Sequence, residues 1–177
     1  FEWVRERSHT FRGMAYSTIL RNDAISFLRL GTFIERADNT ARLLDVKSHL
    51  VEPHFDDSST DYYLWSALLR SLSAFEAYQA LYRDAIDGRR VAELLILRAD
   101  LPRSLRSCVQ EVVDILPKIE GETGRGAQRV AAQLLSELAY SSIDDILATG
   151  LHPWLDQFLA STARLGHAIH HAYLEAA

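Results

Sequence analysis

Between Phe27 and Leu44 the apolar residues Phe27, Leu30, Ile34, Ala37, Ala41 and Leu44 follow one another at intervals of three and four. That spacing places them on one side of an α-helix and is incompatible with the two-residue alternation of a half-buried strand. Similar periods return along the chain, while its 8 glycines and 4 prolines fall mostly between the periodic segments. Such punctuation predicts an all-α protein, an antiparallel helical bundle of about six or seven helices with short connections. A first helix is expected over 2–14. A second, capped by Asn22 or Asp23, runs to about 50 and stops before Pro53. An acidic loop follows over 52–60, then a long helix over 61–86 and a short one over 91–97. Asp100 is expected to cap a helix with Pro102 in its first turn, running to about 116. After a glycine-containing loop over 117–126, helices are expected over 127–148 and 153–175.

With 177 residues the chain is long enough for one domain, read as spanning 1–177, with a sizeable core. It begins at Phe1 rather than Met, which reads as a fragment, its first helix the tail of something larger upstream. Hydrophobic residues make up 48 % and charged residues 24 %, the balance of an ordinary globular protein. A net charge of -5 argues against a nucleic-acid or anionic-membrane surface. No apolar run reaches the length needed to cross a bilayer. A single cysteine, Cys108, rules out an internal disulfide and a cysteine-based metal cluster, and suits a reduced, cytoplasmic setting.

Beside the apolar stripe runs a second line at the same spacing: Glu35, Asp38, Arg42 and Asp45, then His49. Leu28 and Val46 lie just beyond it, so the charges are flanked by apolar residues on both sides. Solvent is then expected at Arg29, Thr32, Arg36, Thr40 and Lys47. In the 61–86 segment Trp65, Leu68, Leu72, Phe75 and Tyr82 form a stripe into which Glu76 and Arg83 project. If the two helices are antiparallel neighbours, Glu35, Asp38, Asp45 and Glu76 meet Arg42 and Arg83 inside the bundle. Arg42 can reach Asp38 or Asp45 along its own helix. Two arginines do not neutralise four carboxylates, so a further cation, a raised carboxylate pKa or water access is expected. The cluster reads either as a salt-bridge network that fixes helix register or as a ligand or catalytic site.

Arg103 precedes Ser104 at a helix start, where free backbone N–H groups favour anions, and joins the ligand-binding candidates. His167 and His171 lie four apart with Glu175 on the same face, a spacing able to hold a divalent metal. Residue 168 is Ala rather than a general-base Glu, and neither Glu35 nor Glu76 has His at the offset of helical di-metal sites. No metal and no cofactor are therefore expected. The GETGRG run at 121–126 lacks a preceding strand and a following Lys-Ser/Thr, and reads as a connector rather than a phosphate cradle. Cys108 reads as a small core residue.

The run Leu30-Gly31, Ile34-Glu35-Arg36-Ala37-Asp38 and Thr40-Ala41-Arg42-Leu43-Leu44-Asp45 resembles the signature of the bacterial alpha-E domain family. Ser73-Ala74-Phe75-Glu76-Ala77-Tyr78, Leu101-Pro102-Arg103-Ser104 and Gly150-Leu151-His152 resemble further family segments, in the same order. The likeness covers essentially the whole chain and departs from the family's usual LGR pattern at Thr32. It implies a context: such domains occur beside, or fused to, circularly permuted ATP-grasp ligases and transglutaminase-like proteases. An ATP-grasp ligase or transglutaminase-like protein is thus an expected partner, and a peptide or amino acid an expected ligand. Three functions compete. The first is an accessory binding or scaffolding domain in peptide synthesis or modification. The second is an enzyme using the carboxylates for acid–base chemistry. The third is a purely structural domain.

Overall fold

The computed structural model of the chain describes residues 2–51, 59–119 and 124–175. The expected acidic loop over 52–60 lies largely outside them, and the His49 side chain is likewise not described. Nine α-helices and no strand are found among the described residues: α1 Glu2–Thr18, α2 Asp23–Val51, α3 Ser59–Ser71, α4 Phe75–Tyr82, α5 Gly88–Leu97, α6 Leu105–Ile115, α7 Arg125–Tyr140, α8 Ile143–Thr149 and α9 Leu151–Tyr173. A 3₁₀ turn, Leu116–Lys118, extends α6. The all-α class holds, and no helix among the described residues is long and apolar enough to cross a membrane.

Nine helices replace six or seven because two long expected segments are broken by serines. The 61–86 segment stops at Ser71. Ser73 takes a left-handed φ of 54°, and the Ala74 N–H reaches back to the Leu69 carbonyl at 2.8 Å. The Arg70 guanidinium lies 3.8 Å from the Phe75 ring centroid and bridges the break. In the 127–148 segment Ser141 and Ser142 turn extended, and the Ser142 hydroxyl caps α8 by accepting the Asp145 N–H at 3.1 Å. Short hydroxyl side chains compete with the helix for backbone groups, which suits them to ends rather than interiors. The start of α6 is also corrected. Ser104, not Asp100, is its cap, accepting the Ser107 N–H at 3.0 Å. Pro102 lies in the preceding turn, and Asp100 instead grips Arg98 through two bonds of 2.6 and 2.9 Å. Asn22 does cap α2, its Oδ1 accepting the Ile25 N–H at 3.3 Å.

The α2 helix is the centre of the packing, pressed against α6 on one side and α9 on another, with α7 joining α6 to α9. From its stripe Leu30, Ala37, Ala41 and Leu44 are buried. They meet a core that includes Leu105 and Ile115 of α6 and Leu155 and Leu165 of α9. Each leucine or isoleucine so buried contributes about 1.5–3 kcal/mol, so apolar contact holds the bundle together. The α1 helix stands apart. Ala15 is its one buried residue, and Trp3, Phe11 and Met14 are each more than half exposed.

Three helix ends are locked around one ring. Tyr173, at the end of α9, stacks edge-on against Phe27 of α2 with centroids 5.5 Å apart. Gly124, just before α7, lies so close to that ring that a Cβ there would sit 1.9 Å from the tyrosine hydroxyl. Gly124→Ala must therefore displace Tyr173, and a loss of about 1–3 kcal/mol is expected in chemical denaturation. Gly166→Ala, inside α9 with nothing within 4 Å of its Cβ, should instead gain about 0.5–1 kcal/mol.

Candidate functional site

The charges of α2 are turned away from where the spacing puts them. The buried arc of the helix includes Phe33 and Thr40 as well as the expected stripe. Glu35 and Arg42 consequently face water, and Asp38 is half-buried. The expected solvent side packs instead: Thr40 is fully buried, and Arg29 and Arg36 are half-buried. The reason is that α2 has neighbours on two sides, which widens its covered arc beyond a single stripe. Leu28 and Val46, read as the apolar flanks of the charged line, are each at least 40 % exposed.

The expected interior cluster uniting two helices is therefore not formed. Glu76 lies in the first turn of α4 and Arg83 is its left-handed C-cap with φ 50°. Both are exposed, and neither pairs with the charges of α2. Arg42 does bind Asp38, by two bonds of 2.7 and 3.0 Å. This pair is largely solvated and worth little to stability. His167 and His171 are exposed on α9.

Asp45 finds its partner on another helix. His152, in the first turn of α9, places Nδ1 2.7 Å from Asp45 Oδ1. An ionised carboxylate only accepts, so the Nδ1–H donates and fixes the ring. On the opposite edge Nε2 lies 3.6 Å from Asp156 Oδ2. Donor atoms of the three residues fall within 4.8 Å of one another, close enough to hold a metal ion. The two carboxylates, however, address different ring nitrogens. That arrangement suits an imidazole held between two acceptors better than three ligands converging on one point. His152 escapes sequence reasoning because 107 residues separate it from Asp45.

A gathering of arginines lies elsewhere, in an open groove of about 750 Å³ between α1 and α2. Helical spacing builds its walls: Trp3, Arg7 and Phe11 from α1, and Leu28, Thr32, Glu35, Asn39 and Leu43 from α2. Arg12, Arg36 and Arg103 complete it. Four arginines thus face one carboxylate, Glu35, among the described residues. Arg36 lies 5.0 Å from the Phe33 ring centroid and donates to the Pro102 carbonyl at 3.1 Å. The buried Thr40 hydroxyl donates to the Arg103 carbonyl at 3.0 Å. These two bonds seat the turn before α6 on α2 and hold Arg103 at the groove.

Arg103 is half-buried, and its guanidinium is pushed below its ordinary pKa by burial, then by the positive charges of Arg36 and Arg12. No carboxylate pairs with Arg12, Arg36 or Arg103 among the described residues. An arginine stays charged at any ordinary pH, so the positive charge stays at the groove rather than being shed as a proton. Of these residues only Arg103 stands out in the sequence. Arg36 is marked there as solvated, and Arg7 and Arg12 are brought to the groove by the relative placement of two helices.

Family comparison agrees with the likeness of the motifs. The model for alpha-E, described as a predicted alpha-helical domain with a conserved ER motif, matches residues 1–174. The chain belongs to the alpha-E family. No curated protein and no solved structure matches it. The chain contains two Glu-Arg dipeptides, Glu6-Arg7 and Glu35-Arg36, and Arg7, Glu35 and Arg36 all line the groove.

Two measurements check this geometry. Thr40→Val keeps the shape but removes the donor to the Arg103 carbonyl. It should cost about 1–2 kcal/mol in denaturant unfolding. Thr32→Val, whose hydroxyl only bonds its own helix at Leu28, should stay within about 0.5 kcal/mol. Cys108 is fully buried, and burial pushes its thiol up to about 11. The thiolate is the reactive form, so a thiol reagent at pH 8 should label Cys108 only after the chain is unfolded.

Proposed function

We propose that this alpha-E domain is a binding module that receives an anionic group, such as a carboxylate of a peptide, in the groove between α1 and α2. The observation that carries the reading is Arg103, held half-buried beside Arg36 and Arg12 without a carboxylate partner. Arginine forks match carboxylate oxygens two at a time, and the apolar rings of Trp3 and Phe11 beside them suit a ligand with carbon as well as charge. The reading replaces the interior cluster with the groove as binding surface. Glu35 and Arg103 are retained from the expected set, and Glu76 and Arg83 are set aside. The role is accessory. The context of the family suggests an ATP-grasp-type ligase or a transglutaminase-like protein as partner, and peptide synthesis or modification as the process. An acidic peptide is the product or substrate such a system would present to this groove.

The direct test is calorimetric titration of the chain with tri-glutamate and, as control, tri-lysine. Tri-glutamate should bind and tri-lysine should not. Arg103→Gln should weaken tri-glutamate about tenfold, equivalent to about 1.4 kcal/mol. Raising salt from about 50 to about 200 mM should weaken it further, as screening predicts. Equal binding of the two peptides, or an Arg103→Gln variant that folds and binds as the parent does, would remove the groove reading. The partner is tested separately by titrating the chain against a circularly permuted ATP-grasp ligase, where no binding at high micromolar concentration removes the ligase.

A further inference from the structure

The groove does not end at Glu35. On the other side of that residue a second cavity of about 440 Å³ opens between α2 and α9, lined by Ile34, Asp38, Thr162 and Gly166. Glu35 and Asn39 line both cavities and form the ridge between them. Gly166 keeps the second cavity open, since nothing lies within 4 Å of the Cβ position it leaves empty. The two carboxylates on this ridge differ. Asp38 already accepts two bonds from Arg42. Glu35 is exposed and pairs with no cation among the described residues, although Arg36 is the next residue in the chain. One turn of helix therefore sends its arginine toward the α6 side, where Arg103 waits, and leaves its glutamate on the ridge facing α9.

A free carboxylate beside an arginine groove is a poor feature for a pure polyanion, which it repels. It is a good one for a ligand that brings a cation of its own. We propose that the ligand is zwitterionic: an acidic peptide with a free amino group, whose anion lies among Arg103, Arg36 and Arg12 and whose ammonium is taken by Glu35, with the Asn39 amide beside it. This rests on the groove reading above and narrows it from anions in general to anions carrying an ammonium. Glu35 then acts as the selector. It lowers the affinity of N-blocked or purely anionic ligands while favouring those with a free amine.

The experiment compares tri-glutamate with N-acetyl-tri-glutamate on the full chain and on Glu35→Gln. Glu35 is exposed, so the substitution leaves the core intact. The parent should prefer the free amine by about five- to tenfold, the scale of one charge pair near a protein surface. Glu35→Gln should erase that preference, largely by binding the acetylated peptide better. The preference should also fade as pH rises past about 8, where an α-amino group loses its proton. Equal binding of both peptides to the parent, still sensitive to Arg103→Gln, overturns the zwitterion while leaving the anion groove. A preference that survives in Glu35→Gln overturns it as well. Failure of both peptides to bind overturns both readings.

Discussion

The turn that runs from Arg98 to Ser104 must lie flat on α2, and most of the molecule follows from how it does so. A turn packed against a helix would leave backbone carbonyls buried without donors, at a cost comparable to a lost hydrogen bond each. Here the Thr40 hydroxyl serves Arg103, the Arg36 guanidinium serves Pro102, and Ser104 serves Arg98 while also capping α6. The Cys108 thiol adds a long contact to Pro102 at 3.7 Å. With α6 fixed on α2 in this way, α7 and α9 have a surface to close upon. The same seam positions Arg103, so the groove and the core share their anchoring bonds.

How much of this is legible in the chain can be seen on α2 itself. Leu30, Ala37, Ala41 and Leu44 are core by spacing and core in the fold. Thr40 shows the limit. A threonine on a polar-looking face is buried because its hydroxyl meets a carbonyl 63 residues away, and no local pattern encodes that partner. Leu28, Leu43 and Val46 show the reverse, apolar residues left at the surface, as is common in proteins generally. Helix breaks escape the apolar spacing for a related reason. Ser73 and Ser141 sit inside acceptable helical periods, and apolar spacing alone does not show that the chain turns there. Arg103 is marked by the helix start that follows it. The arginines that raise its energy come from α1 and α2, which no spacing connects.

Net charge is an average, and this fold shows what it hides. The chain carries -5 overall, yet the groove gathers four arginines around one glutamate. An acidic total speaks only for the surface as a whole. It places no limit on a local pocket of opposite sign, where burial of a guanidinium matters more than distant charges screened by salt. His152 and Asp45 make the same point on α9 and α2. Their pairing is a matter of two helix surfaces meeting, and it gives a hydrogen-bond partner to one of the carboxylates that the sequence leaves in excess.

The near-total exposure of α1 has an energetic meaning for the groove it walls. A helix of 17 residues with one buried side chain draws little on tertiary packing, the main source of helical stability in proteins. Its order is therefore itself an equilibrium, coupled to whatever touches Trp3, Arg7 and Phe11. A ligand in the groove must spend part of its contact energy on stiffening that wall. Measured affinity is accordingly the intrinsic affinity scaled by the fraction of time the wall is in place. Any neighbour that braced α1 from its outer side would tighten ligand binding without contacting the ligand at all.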